Sequence, residues 1–132
     1  MALRDDDASV GVAMVEAFLA GDAAAMIDLL TADATFHSPV TDYRGRERVG
    51  EVLGALAKVV TDARLTRRLD DAAATAAFFT ATLDGGPADG ALLILADPDG
   101  QVCDLTLMVR PLRALLSGIE RMKVLLAVGA GE

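Results

Sequence analysis

The chain is poor in the residues that most often announce chemistry. It contains one cysteine (Cys103), one histidine (His37), one tyrosine (Tyr43) and no tryptophan. A single cysteine excludes an intramolecular disulfide and a thiolate zinc site, and a reducing cytoplasm is the natural compartment for such a chain. One histidine and scattered carboxylates do not make a transition-metal site, so neither a metal nor a cofactor is expected. Basic residues are also scarce. Twelve Lys and Arg face twenty Asp and Glu, for a net charge of −8. That balance argues against nucleic acid and against an anionic membrane, since both are met with a surplus of positive charge. No run of about 18 apolar residues is present to span a bilayer. The acidic start, Met1 to Asp7, lacks the basic opening and apolar run of a signal peptide.

What is abundant is aliphatic. Hydrophobic residues make up 53% of the 132 positions, which suits one folded domain over residues 1–132 and excludes disorder. The share is high for so short a chain. It implies that some apolar surface lines a cavity or meets another subunit rather than filling one core.

Periodicity predicts helices first. Asp5 to Asp7 can cap a first helix whose stripe is Val10, Met14 and Phe18, ended by Gly21. Asp22 can cap a second, with Met26, Ile27 and Leu30 as its apolar residues. An extended piece, Ala34 to His37, stops at Ser38-Pro39, because the residue before proline avoids helix. Asp42 to Gly45 reads as a turn. Arg46 to about Val60 carries Val49, Val52, Leu53, Leu56, Val59 and Val60 at helical spacing. Four strands follow, at Arg64–Leu69, Ala74–Leu83, Ala91–Ala96 and Val102–Arg110, separated by turn signals at Asp84 to Pro87 and Asp97 to Gly100. Pro111 can open a last helix, with Leu112, Leu115, Leu116, Ile119, Met122 and Leu126 as its apolar face. Helices segregated from consecutive hairpins mean an α+β fold. The strand Ala91–Ala96 is apolar on both parities, so both faces need cover. Helices can cover one, and a second copy of the sheet is the simplest cover for the other, giving a homodimer.

Several stretches carry a family likeness. Ala17-Phe18-Leu19-Ala20-Gly21-Asp22, Leu29 through Pro39, Tyr43-Arg44-Gly45-Arg46 and Asp97 through Val102 resemble, in order and spacing, the junctions of NTF2-like proteins of the SnoaL-like, ketosteroid-isomerase-like kind. The resemblance implies a cone of three N-terminal helices packed on a curved antiparallel β-sheet around an apolar pocket, here with an extra C-terminal helix. It implies a small-molecule ligand, and a function anywhere from cyclase, isomerase or hydrolase to a non-catalytic binding or interaction module. The two best-defined enzyme patterns are missing. Where the isomerases keep a base Asp before proline, this chain has Ser38; their oxyanion tyrosine falls near Met14, and their protonated Asp among Ala91, Leu92 and Leu93. The stretches matching the Asp-Arg-Asp set of limonene epoxide hydrolases, Phe79 to Thr82 and Leu105 to Leu107, carry neither acid nor arginine.

The remaining polar residues define the candidates. His37, with an ordinary pKa near neutrality, is the best general acid or base, or else a structural histidine. Alternation sets His37 and Ser38 on opposite faces unless Pro39 disturbs it. Asp104 shares a parity with Thr106, Met108 and Arg110, against an apolar parity of Cys103, Leu105, Leu107 and Val109. Its mixed face can line a cavity, join a dimer or meet water. Polyketide cyclases of the resembled fold use a pocket acid, and Asp104 is the nearest counterpart; Tyr43 can assist from the pocket mouth. Met14, Phe18, Phe36, Ser38 and Met108 are the candidate ligand contacts. Cys103 reads as an inert thiol on the apolar face.

Overall fold

The computed structural model describes residues 9–131. Helix α1 (Val10–Ala20) is capped by Ser9, whose Oγ accepts from the Val12 amide at 3.1 Å; the expected cap, Asp5 to Asp7, lies outside the described residues. The helix ends as expected at Gly21, which takes φ 69°, while the amides of Gly21 and Asp22 return to the carbonyls of Phe18 and Ala17. Glycine holds that left-handed position without steric cost. Asp22 then caps α2 (Ala23–Asp28) through the Ala25 amide.

Leu30 does not extend α2. It opens strand β1 (Leu30–His37), four residues longer toward the N-terminus than the apolar pattern predicts, and lies buried opposite Val102. Residues 38–41 turn the chain into β2 (Asp42–Arg44), a three-residue edge strand where the sequence predicts a plain turn. Helix α3 (Arg46–Val59) buries Val49, Val52, Leu53 and Val59; Val60, expected on its apolar face, takes extended geometry instead and opens the next strand, paired with Leu83. Strands β3 (Val60–Asp70), β4 (Ala74–Leu83), β5 (Gly86–Ala96) and β6 (Val102–Arg110) form a meander, and α4 (Leu112–Gly131) closes the chain. The β4–β5 hairpin is a two-residue loop, with Asp84 at φ 50° and Gly85 at φ 88°. Two successive positive φ values match the twist of the flanking strands, and Asp-Gly is the sequence that adopts them. β5 therefore starts at Gly86. Pro87 is tolerated there because the β5–β6 ladder begins only at Asp89, leaving the other edge free.

The six strands run in the order β2-β1-β6-β5-β4-β3. The sheet is mixed rather than wholly antiparallel, because β1 pairs with β6 in parallel. Those neighbours are separated by α3 and four strands, so their pairing is a long-range event that local periodicity does not register. The inner face, with Phe36, Ala77, Phe79, Leu92, Ile94, Leu105 and Leu107 all buried, packs under the helices. Phe18 of α1 meets Phe79 of β4 edge to face, with centroids 4.9 Å apart, a favoured aromatic geometry. On the outer face, Phe78, Leu93 and Met108 are 39%, 39% and 63% exposed in the single chain.

Candidate functional site

The sheet's inner face, α3 and α4 enclose a cavity of about 240 Å³. Phe36, Leu107 and Val109 form its floor, Val52 and Leu56 of α3 one wall, and Leu115, Ile119, Met122 and Leu126 of α4 the roof. The roof residues recur at helical spacing and are the subset of the expected α4 face that turns inward. Leu112 and Leu116, expected on that face, are 66% and 53% exposed. Gly118 allows the close approach, since a Cβ there would stand 2.9 Å from Leu83 Cγ.

Polar groups on the cavity wall are few. Ser38 lies at the mouth with its hydroxyl engaged: Oγ donates to the Thr41 carbonyl at 2.8 Å and accepts from the amides of Val40 and Thr41. Tyr43 stacks on Phe36 with centroids 6.3 Å apart, and the Arg48 guanidinium lies 5.2 Å from its ring centre. Lys123 on α4 completes the set. Among the described lining residues there is no carboxylate and no imidazole.

His37 and Asp104 are brought together, but on the other side of the sheet. Phe36 faces the cavity, so alternation sends His37 outward, where it stands opposite Thr106 of β6 and Asp42 of β2. Its Nε2 is 2.9 Å from Asp104 Oδ2, and its Nδ1 is 2.9 Å from Asp42 Oδ1. Asp42 does not stand out in the sequence; its signal is the five-residue spacing across a tight turn, which places it beside His37 once β2 is recognised as a strand. Both nitrogens face carboxylates, and only the imidazolium can donate to both. The hydrogen bond to Asp104, then that to Asp42, raises the His37 pKa above its ordinary 6.5, against a smaller opposing effect of burial. The three side chains do not converge on a point, because the carboxylates occupy opposite edges of the ring. Among the described residues no cluster of His, Cys, Asp and Glu is arranged to hold a metal ion.

This clasp ties the short edge strand β2 to β1 and β6, and its effect on stability has a definite sign. A raised folded-state pKa stabilises fully below the unfolded value of 6.5 and is lost as pH rises through the folded value. Unfolding free energy of the wild type minus that of His37→Gln should therefore fall across and above neutrality, by about 1 kcal/mol at most for so exposed a pair. A difference that stays flat with pH would show that the clasp does not persist in solution.

The other candidates divide between core, cavity and outer face. Met14 is fully buried and Phe18 nearly so, both within the core rather than on the cavity wall. Phe36, Ser38 and Tyr43 line the cavity. Met108 projects from the outer face, on the parity of Asp104. Cys103 donates weakly to the Leu95 carbonyl at 3.6 Å, and burial pushes its thiol pKa up, which keeps it protonated and unreactive. The irregular β5–β6 pairing between Leu95 and Ala96 places Val102 in the core and leaves Cys103 half-buried. The other lining residues, Val52, Leu56, Leu107, Ile119 and Met122, are legible in the sequence only as core, because periodicity does not distinguish a packed apolar face from one left beside a void.

A helix-roofed cone of six strands around an apolar cavity defines the class of protein. The particular family follows: residues 12–110 match the SnoaL-like domain, and the chain belongs to that family. A comparison with the curated proteins finds no match. Among solved structures, the chain is similar to a steroid delta-isomerase from Pseudomonas aeruginosa, with 27% identity, TM-score 0.82, and coverage of 93% of this chain and 96% of that one. It is similar to an uncharacterized protein with a cystatin-like fold from Silicibacter pomeroyi, with 25% identity, TM-score 0.81, and coverage of 87% and 83%. A SnoaL-like protein of unknown function from Burkholderia thailandensis shares the fold at 16% identity, TM-score 0.61, over 76% and 91%. Among the described residues no helix is long and apolar enough to cross a membrane.

Proposed function

We propose that this chain is a single-domain cytoplasmic pocket protein that binds an apolar small molecule in the cavity between the sheet, α3 and α4, and works as a homodimer paired through the outer face of the sheet. The observation that carries the binding reading is the composition of the cavity wall, which is aliphatic and aromatic apart from Ser38, Tyr43 and Lys123. An apolar void of about 150 Å³ takes up benzene. Scaled by volume, 240 Å³ accommodates about ten carbon atoms. A steroid nucleus is larger than that. Steroid isomerisation also needs a base that moves a proton between carbons, and the position matching the isomerase base carries Ser38, whose hydroxyl is already held in the turn. The likeness to a steroid delta-isomerase therefore supports the architecture more than the reaction.

Titration with a neutral apolar fluorophore of matching size, such as the ten-carbon naphthalene, tests the reading. Saturable binding near one per chain is expected, with a rise in melting temperature that follows free ligand, and Gly118→Leu, which drives a side chain toward Leu83 and the cavity, should abolish both. Binding that survives this variant would put the ligand elsewhere.

The dimer rests on a continuous apolar row. Phe78, Ala91 and Met108 are direct neighbours across β4, β5 and β6, and Leu93 lies in the next row, between Ala76 and Thr106. Side chains of this size left open across three strands form the kind of patch that meets a partner surface. Met108→Asp should shift the sedimentation coefficient from dimer to monomer while the far-ultraviolet dichroism is retained. A wild type that already sediments as a monomer at micromolar concentration overturns this part of the reading.

A further inference from the structure

The polar groups lining the cavity are confined to three described side chains, Ser38, Tyr43 and Lys123. We propose that the ligand is an amphiphilic monocarboxylate, with an apolar body of about ten carbons inside and its carboxylate at the mouth on Lys123. This rests on the reading of the cavity as an apolar binding site.

The cavity interior offers an ionised or strongly polar group nothing to pair with, and burying such a group unpaired costs several kcal/mol. Any polar part of a ligand must therefore stay at the mouth. Of the polar lining residues, Ser38 already makes three hydrogen bonds within its own turn, and Tyr43, whose ring stacks on Phe36, offers a hydroxyl rather than a cation. Lys123 is the one ionised side chain among the described lining residues. It follows Met122 and stands one turn after Ile119 on the roof helix. Its stem therefore adjoins the apolar wall, while its ammonium reaches water, the usual disposition of a lysine at an apolar edge. Its only protein partner among the described residues is Glu120, 3.5 Å away, and the two side chains are 70% and 76% exposed. A pair so long and so hydrated contributes little, so an incoming carboxylate can displace Glu120 at small cost.

The net charge of −8 opposes any anion, but acids more than about 8 Å from the mouth are largely screened at physiological salt, which leaves the Lys123 ammonium and its displaceable partner Glu120 to decide. The single cation also decides between anions. A phosphate or other dianion is held by clustered or forked donors, as an arginine supplies, whereas one lysine matches one negative charge.

Decanoate and decan-1-ol, both below their aggregation limits, are the probes, with dissociation constants measured by calorimetry for the wild type, Lys123→Gln, Glu120→Gln and Gly118→Leu. Both probes should bind the wild type, and neither should bind Gly118→Leu. Lys123→Gln should weaken decanoate about three- to fivefold, in keeping with an exposed charge pair, and leave decanol unchanged. Glu120→Gln should tighten decanoate alone. If decanol binds but decanoate is excluded, or if Lys123→Gln affects both probes equally, the head-group assignment is overturned while the cavity reading stands. If neither probe binds the wild type, the cavity reading itself fails and takes this proposal with it.

Discussion

Phe36→Ala is expected to be the most damaging conservative truncation in the cavity wall, lowering unfolding free energy by about 3–5 kcal/mol. The ring is 2% exposed, stacks on Tyr43 and forms part of the cavity floor. Truncating a core aromatic leaves a void, and its cost grows with the volume that neighbours fail to refill. Here the new void joins an existing one of about 240 Å³, whose walls are held apart by α3 and α4, so little collapse can compensate. Chemical denaturation measures the loss. The same variant should accept a bulkier apolar probe than the wild type, because the space once taken by the phenyl ring becomes part of the cavity. A loss below about 1 kcal/mol, typical of a tolerant surface site, would mean that Phe36 does not wall a persistent cavity.

Gly90→Ala should be nearly as severe, though it adds only a methyl group. Gly90 sits in β5 opposite Val109 of β6 and Phe79 of β4. A Cβ there would run into the Met108 backbone carbonyl and come within 3.0 Å of Phe79 Cζ. Backbone cannot rotate aside as a side chain can, so the β5–β6 ladder must open locally. Overpacking of this kind costs about 1–3 kcal/mol, and an obstructing carbonyl puts the variant at the upper end. The opening also displaces Val109, a floor residue of the cavity, so binding of an apolar probe should weaken together with stability. Gly54→Ala is the control. Gly54 lies within α3, and a methyl group added there would meet nothing within 4 Å. Alanine is favoured over glycine in a helix interior by about 1 kcal/mol. The same chemical change should thus destabilise at Gly90 and stabilise at Gly54. Equal effects at the two sites would contradict the strand packing described.

The candidate site divides between what local pattern can and cannot carry. Strand alternation correctly separates Leu105 and Leu107 from Asp104, Thr106 and Met108, because successive side chains of a strand must point to opposite faces. It does not say which face the helices cover. That depends on how β6 is flanked by β1 and β5, and the parallel β1–β6 pair joins segments about seventy residues apart. Alternation sets His37 opposite Phe36 but does not fix how the chain continues past it, because Ser38-Pro39 begins a turn whose geometry depends on Ser38 Oγ capturing two amides and on the pairing of β2 with β1. The Leu30 position shows the same limit in reverse. Its spacing from Met26 and Ile27 fits a helix, yet its pairing with Val102 draws it into β1, where tertiary contacts override a short local period.

By itself the amino-acid sequence determined the class of fold, the extents of β4 and β6, the capping of α2 by Asp22, the glycine stop of α1 and the Asp84-Gly85 hairpin. Each of these follows from short-range sterics, from side-chain hydrogen bonds to nearby amides, or from the period of apolar residues. Only the tertiary structure decided that His37, Asp42 and Asp104 form a clasp on the outer face, that the described cavity wall carries no acid or imidazole, and that Lys123 stands at its mouth. Those facts depend on the order of strands in the sheet and on where α4 comes to rest, and both are set by contacts between residues far apart in the chain.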